Sequence, residues 1–375
     1  MSGSPPDRPG SRAPRGLLGM LALVAAVELG VAGHRADFAT PWAEDWRFAA
    51  RAAGRRAPGS DVLCFGDSLV KFGVLPRVIE ARAGLKAYNL ATSGGTMPSA
   101  YFLLRRALGS GARPRAIVAD FAALMLKDPD PPTLQNYPEL ASLKDCLDLA
   151  WTARDPGFFA SSGLSKALPS YHWRFEVRSA ITAALDGRSL SQRAALPVYR
   201  RNWEAESGAQ PMPPGRVRHP SEDFLIDGVS PAAWACEPRN EAYLDRFLAL
   251  AESRGIAVFW LIPPLCPEVH ARRGRRGSDA AYGRFARGKL DRHRNLVILD
   301  ARASGYDDTV HIDHIHLDRR GAAVLSGDVA SALLDRPGPP GVPAGPRWVD
   351  LPPYAGRSGD GPARSLARSR PSNPR

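Results

Sequence analysis

The chain has little sulfur chemistry. Its 375 residues contain four cysteines, Cys64, Cys146, Cys236 and Cys266. They lie far apart and form no C-x-x-C pair, so neither a redox motif nor a cysteine metal site is indicated. Four cysteines allow three disulfide pairings and the spacing selects none; Cys64, inside an apolar run, reads as a small buried hydrophobe. No internal repeat is visible. There is also no basic run interleaved with aromatics and no zinc-finger or RNA-binding signature. The formal net charge of +12 therefore reads as arginine scattered along the chain, and no nucleic-acid partner is expected. A hydrophobic content of 44% excludes wholesale disorder and allows one large core or two modest ones.

One long apolar run is present. Residues 1–15 are polar and carry Arg8, Arg12 and Arg15, and residues 16–33 are apolar except for Glu28. Roughly 17 apolar residues sit at the lower limit for a membrane span, and a basic flank before them marks a signal peptide or an uncleaved signal anchor. The absence of a convincing cleavage site favours the anchor. The positive-inside rule keeps the arginine-rich end cytoplasmic and the rest outside; if the segment is cleaved, the protein is secreted. Residues 34–59, with two tryptophans and an arginine cluster, read as a connector.

From residue 60 the pattern is regular. Apolar runs at 61–65, 87–91, 116–121, 256–262 and 296–300 read as strands. Helical spacing marks 75–83, 99–108, 239–254, 279–293 and 318–334. Such alternation predicts an α/β fold, a doubly wound parallel sheet with helices on both faces. It stops at 127 and resumes at 239. The segment 127–238 is too long for a loop and reads as an insertion covering one end of the sheet, with short helices near 141–150 and 172–184. Beyond 336 the chain is dense in Pro, Gly and Arg and reads as a disordered tail.

Two stretches carry chemistry. Gly66-Asp67-Ser68 follows the first strand, where an open α/β sheet places its ligands. The bland reading is a strand-to-helix turn, with Asp67 as a helix cap. Far downstream, His311-Ile312-Asp313-His314-Ile315-His316-Leu317-Asp318 sits between the last strand and the last helix, in a loop able to open on the same sheet edge. His311, Asp313, His314 and His316 also form a possible metal-ligand set, with Asp120 and Asp300 as spare carboxylates. However, adjacent loop residues rarely all point inward, and no second ligand cluster is evident, so no metal and no other cofactor is expected. His311 and His314 read as surface residues, Gly94 and Gly95 as turn glycines, Asp318 as a cap and Gly321 as a packing position.

Gly66-Asp67-Ser68-Leu69, Asn89 to Gly94, and Asp313-x-x-His316-Leu317 with Gly321 resemble three of the sequence blocks of the SGNH (GDSL-type) hydrolase superfamily. The resemblance covers roughly 60–126 and 239–335. It implies a flavodoxin-like sheet within a 60–335 domain and a serine-dependent ester hydrolase with Ser68 as nucleophile, His316 as general base and Asp313 as its orienting carboxylate. The oxyanion donors would be the N–H groups of Ser68 and Gly94. The family's Gly-x-Asn-Asp block has no counterpart, because the third strand runs Val118-Ala119-Asp120-Phe121-Ala122-Ala123. A missing oxyanion donor costs about 100- to 1000-fold in turnover. The resemblance implies a substrate of acylated small molecule, glycan or lipid type. O-acetyl transfer to an envelope glycan and a non-catalytic binding module are the alternatives.

Overall fold

The computed structural model describes residues 15–127, 135–191, 193–215, 233–336 and 343–354. In chain order the helices and strands that build it begin with α1 (Arg15–Gly33), α2 (Pro41–Arg55), β1 (Val62–Phe65), α3 (Ser68–Gly73), α4 (Pro76–Ala83), β2 (Ala87–Asn89), α5 (Met97–Gly109) and β3 (Ala116–Ala119). The insertion contributes α6 (Leu143–Ala153), α7 (Pro156–Ala167), α8 (Arg174–Leu185) and α9 (Ala195–Ala205). Then come α10 (Pro238–Ser253), β4 (Ala257–Ile262), α11 (Pro267–Arg275), α12 (Ser278–Arg292), β5 (Leu296–Asp300), α13 (Arg319–Leu334) and β6 (Trp348–Asp350).

The six strands form one sheet in the order β2-β1-β3-β4-β5-β6, and every neighbouring pair is parallel. This is the flavodoxin-like doubly wound arrangement, extended by a sixth strand. Its strand order reverses between β1 and β3, which is where ligands sit in such sheets. Side chains alternate across the sheet with period two. Leu63, Phe65, Ile117, Trp260 and Ile298 pack with α2, α5, α10 and α12. Val62, Cys64, Val118, Phe259 and Leu299 pack on the opposite face with α3, α4 and α13. Both faces are covered, which explains why the strands read as continuous apolar runs.

Three expectations change. The connector at 34–59 is largely the core helix α2, started by a Thr40 cap and a proline in its first turn, with Trp46 fully buried. The tail after 336 is not patternless throughout. Residues 348–350 pair with β5, Leu351 is buried, and Tyr354 lies against Tyr306 with ring centroids 4.6 Å apart. Residues 355–375 fall outside the described residues. The domain therefore extends on both sides of 60–335.

The insertion is helical over most of its described length. Its segment 206–212 laces one side of the molecule, where Asn89 N–H donates to Ser207 O at 2.9 Å, Gln210 N–H to Lys71 O at 2.9 Å, and Arg319 N–H to Met212 O at 2.8 Å. None of the four cysteines is disulfide-bonded; Cys64 is buried inside β1.

Candidate active site

The turn after β1 is built around a glycine that no other residue replaces. Gly66 has φ +139°, and a Cβ added there would fall 1.6 Å from Asp120 Oδ1. Three strand ends are tied together at this point. Asp120 N–H donates to Phe65 O at 3.2 Å and Thr92 N–H to Gly66 O at 3.2 Å, while Asp67 N–H donates to Asp120 Oδ1 at 3.1 Å. Asp67 then caps α3, accepting Leu69 N–H at 2.7 Å. Ser68 is thereby presented, half-buried, as the first residue of α3. Asn89 holds that helix in place from β2, its side-chain amide donating to Val70 O at 2.9 Å and Val74 O at 3.0 Å.

The distant loop supplies the remaining groups. Residues 311–317 close into a tight hairpin, with Ile312 N–H donating to His316 O at 2.9 Å and Asp318 N–H to Val310 O at 2.8 Å. Asp313 Oδ1 accepts the backbone N–H groups of Ile315 at 2.9 Å and His316 at 2.8 Å. Its Oδ2 accepts from His316 Nδ1 at 2.7 Å. The three-residue spacing thus lets one carboxylate fix both the backbone and the ring of the histidine. With the proton on Nδ1 so held, Nε2 is left as an acceptor, and Ser68 Oγ lies 2.7 Å from it. The edge of Phe72 packs on the same ring, centroids 5.1 Å apart. Burial pushes the Asp313 carboxyl up, but the His316 hydrogen bond and charge and the two backbone N–H groups outweigh it and hold the carboxyl at about 2. It is therefore an anion at neutral pH, placed to stabilise an imidazolium.

A serine hydroxyl, an imidazole acceptor and a buried carboxylate in one hydrogen-bonded line can activate an oxygen nucleophile at neutral pH. No family model and no curated protein matches the chain.

The other expected residues are placed as follows. Gly94 lies in the loop after β2 with φ +63°. That loop is pressed on the Gly66–Ser68 turn, since a Cβ on Gly95 would sit 2.4 Å from Gly66 O. Asp318 caps α13 through Arg320 N–H at 2.8 Å and Gly321 N–H at 3.1 Å. The histidines do not converge as a ligand set. His311 Nδ1 donates to Asp307 O at 2.8 Å, whereas His314 Nδ1 faces Cys266 Sγ at 3.5 Å. Both are buried rather than on the surface. Among the described residues no group of three His, Cys, Asp or Glu is placed to hold a metal ion. Asp300 pairs with Arg302 at 2.6 Å.

Three contributors escaped the sequence reading. Asp45, in the segment read as a connector, accepts Ser93 N–H at 2.7 Å and pairs with Lys71 Nζ at 2.5 Å, both side chains being 0% exposed. Trp46 Nε1 donates to Ser93 O at 3.0 Å. Helix α2 therefore grips the residue before Gly94 by both its N–H and its C=O.

Asp120, read as a spare metal ligand, is instead wedged against Gly66 and fully buried. Its Oδ2 has no hydrogen-bond partner among the described residues. Burial, then the charge of the neighbouring Asp67 carboxylate, push its pKa well up, and burial pushes Asp67 up as well, so a proton shared within the pair is expected. The folded state keeps that proton while an unfolded aspartate releases it above pH about 4. Stability is thus expected to fall as pH rises above that point, until the folded-state proton is also lost. Asp120→Asn, which keeps the Oδ1 acceptor and needs no proton, is expected to remove this slope. Melting temperatures of the two proteins should lie close together at pH 5 and separate in the variant's favour by pH 9. Parallel curves would exclude the shared proton.

Proposed function

We propose that the protein is a serine-dependent ester hydrolase of SGNH type, acting on an acylated small molecule, glycan or lipid. The carrying observation is the Ser68–His316–Asp313 line, with links of 2.7 Å on either side of the imidazole. Ser68 Oγ attacks the ester carbonyl carbon as His316 Nε2 accepts its proton, and Asp313 balances the imidazolium. The developing oxyanion is assigned to the backbone N–H groups of Ser68, at the start of α3, and Gly94. His316 returns the proton to the departing alcohol. Water, deprotonated by the same nitrogen, then releases the acid and regenerates Ser68. Ala122, where the family pattern has its asparagine, supplies no side-chain donor, so modest turnover is expected.

The same reading makes α1 a membrane anchor that holds the hydrolase on the outer side. Gly16–Gly33 is long and apolar enough to cross a bilayer and none of it is buried in the protein. Arg8, Arg12 and Arg15 precede it, as the positive-inside rule asks of a cytoplasmic end.

A fluorophosphonate probe tests the nucleophile without knowledge of the substrate. Incubated with the full chain in detergent, it is expected to lose fluoride and form a covalent adduct on the peptide containing Ser68, with no adduct in Ser68→Ala. A folded chain that stays unlabelled, or is labelled on another serine, would overturn the assignment.

A further inference from the structure

The apolar helix α1 is not isolated from the insertion. Glu28, its one acidic residue, accepts Ser170 N–H at 2.8 Å and Ser170 Oγ–H at 2.5 Å. Val31 and Val177 pack around the buried Trp173 together with Phe38. At 1.5 Å per residue Glu28 lies about 7 Å short of the helix's outer end, and the whole helix, about 28 Å long, matches a hydrocarbon core of about 30 Å. If α1 spans a bilayer, the turn Pro169–His172 is bonded to it below the outer hydrocarbon boundary. The insertion therefore enters the outer leaflet.

Helix α8, which follows that turn, is built for this position. Phe175 is 53% exposed, Ile181 59% and Leu185 84%. Taking one 100° step per residue, these three fall within an arc of about 120° on one side of the helix, an arc shared by Thr182 and by Arg174 and Arg178, whose heads can extend to the headgroup level. Charged groups gather just past the end of α1. Arg35 pairs with Glu44 and with Glu139 at 3.1 Å, and His172 Nε2 meets Glu139 at 3.1 Å. Trp42, 56% exposed, follows at the start of α2, where an interfacial aromatic belongs. The order along the anchor, apolar helix and then charged cluster with an aromatic, follows the profile of a membrane surface.

We propose that helix α8 and the Pro169–His172 turn form a second membrane contact, lying in the outer leaflet beside the anchor with Phe175, Ile181 and Leu185 among the lipid acyl chains. The proposal rests on α1 being the anchor assigned above. Together the two elements fix the orientation of the hydrolase relative to the bilayer, where α1 alone would act as a swivel. Exposed Arg178, one turn after Phe175 on the same helix, is available to a lipid phosphate.

The test uses the full chain in nanodiscs of phosphatidylglycerol and phosphatidylcholine carrying a photoreactive diazirine in the acyl chain, with adducts mapped by mass spectrometry. Adducts are expected on α1 and on α8, and none on α10, whose apolar face packs in the sheet core. Replacing Ile181 and Leu185 by glutamate, both exposed and hence harmless to the core, should reduce the α8 adducts to the level of α10 without changing those on α1. Adducts on α1 but not on α8 would overturn the second contact and leave the anchor standing. Adducts on neither would overturn both. An α8 that is free of adducts yet protected from hydroxyl-radical labelling would assign the patch to a protein and also overturn the proposal.

Discussion

Ser68→Ala is expected to lower kcat/KM for p-nitrophenyl acetate by at least about 10⁴-fold, the scale on which a hydrogen-bonded triad loses rate when its nucleophile is removed. The argument is local. Ser68 Oγ lies 2.7 Å from His316 Nε2, so the methyl group of alanine leaves the imidazole with a proton acceptor and nothing to activate. One partly buried hydrogen bond is lost, worth about 0.5–1.5 kcal/mol, so the variant should remain folded and the rate loss should stand apart from instability. Asp313→Asn is the more demanding version. Its amide would present N–H to Nδ1, forcing the ring proton onto Nε2, where it faces Ser68 and blocks proton transfer. A fall of about 10⁴-fold in kcat is expected from the wrong tautomer. The double variant should be no slower than Ser68→Ala alone, because the groups act as one unit. Steady-state rates of the four proteins decide the matter, and an alanine variant as fast as wild type would remove Ser68 from the chemistry.

The second large effect is on stability. Asp45→Ala is expected to cost about 3–5 kcal/mol, the penalty for leaving one member of a buried ion pair unpaired. Lys71 and Asp45 are both fully buried and 2.5 Å apart. Burial pushes the Lys71 ammonium pKa down while Asp45 opposes the shift. Without Asp45 the ammonium is left facing the Trp203 ring, 5.3 Å away, and Ser93 N–H loses its acceptor. Thermal unfolding should therefore drop by roughly 6–20 °C for a domain of this size, at about 2–4 °C per kcal/mol. Asp45→Asn alone and Lys71→Met alone should also destabilise, each by stranding the partner charge, whereas the two together should recover part of the loss. A coupling of at least about 2 kcal/mol in that cycle is expected for residues in direct contact. Additive losses would mean that the pair contributes nothing as a pair.

What the sequence disclosed and what it concealed divide along the range of the interactions. The strands were legible because each is buried on both faces and therefore reads as an apolar run. The Asp-x-x-His spacing was legible because its geometry closes within four residues, one carboxylate serving the ring and the backbone of His316. Asp67 announced its capping role for the same reason. Helix α2 was hidden because its charges look solvated until Lys71 and Ser93 are placed beside Asp45, and both come from segments later in the chain. Strand β6 was hidden because three residues at a sheet edge have no period, and its Pro- and Gly-rich surroundings resemble a tail. Asp120 was visible at a strand end, but its role depends on the missing Cβ of Gly66, a contact across two strands. The insertion helices α7 and α9 lacked a sequence signal because little of either is buried, so no stripe marks an inward face.

The separation of Ser68 from His316 also sets a timetable. The two are 248 residues apart, which at about 5–20 residues per second is roughly 10–50 s of synthesis. During that interval the Gly66–Ser68 turn can form, because Gly66, Asp67 and their neighbours are already made, but its hydroxyl has no imidazole partner. Asp120 and the Ser93 loop arrive early, and the proton acceptor arrives near the end. A nascent or truncated chain therefore carries Ser68 with no imidazole beside it, and the proposed acyl chemistry can begin only when the last loop is delivered.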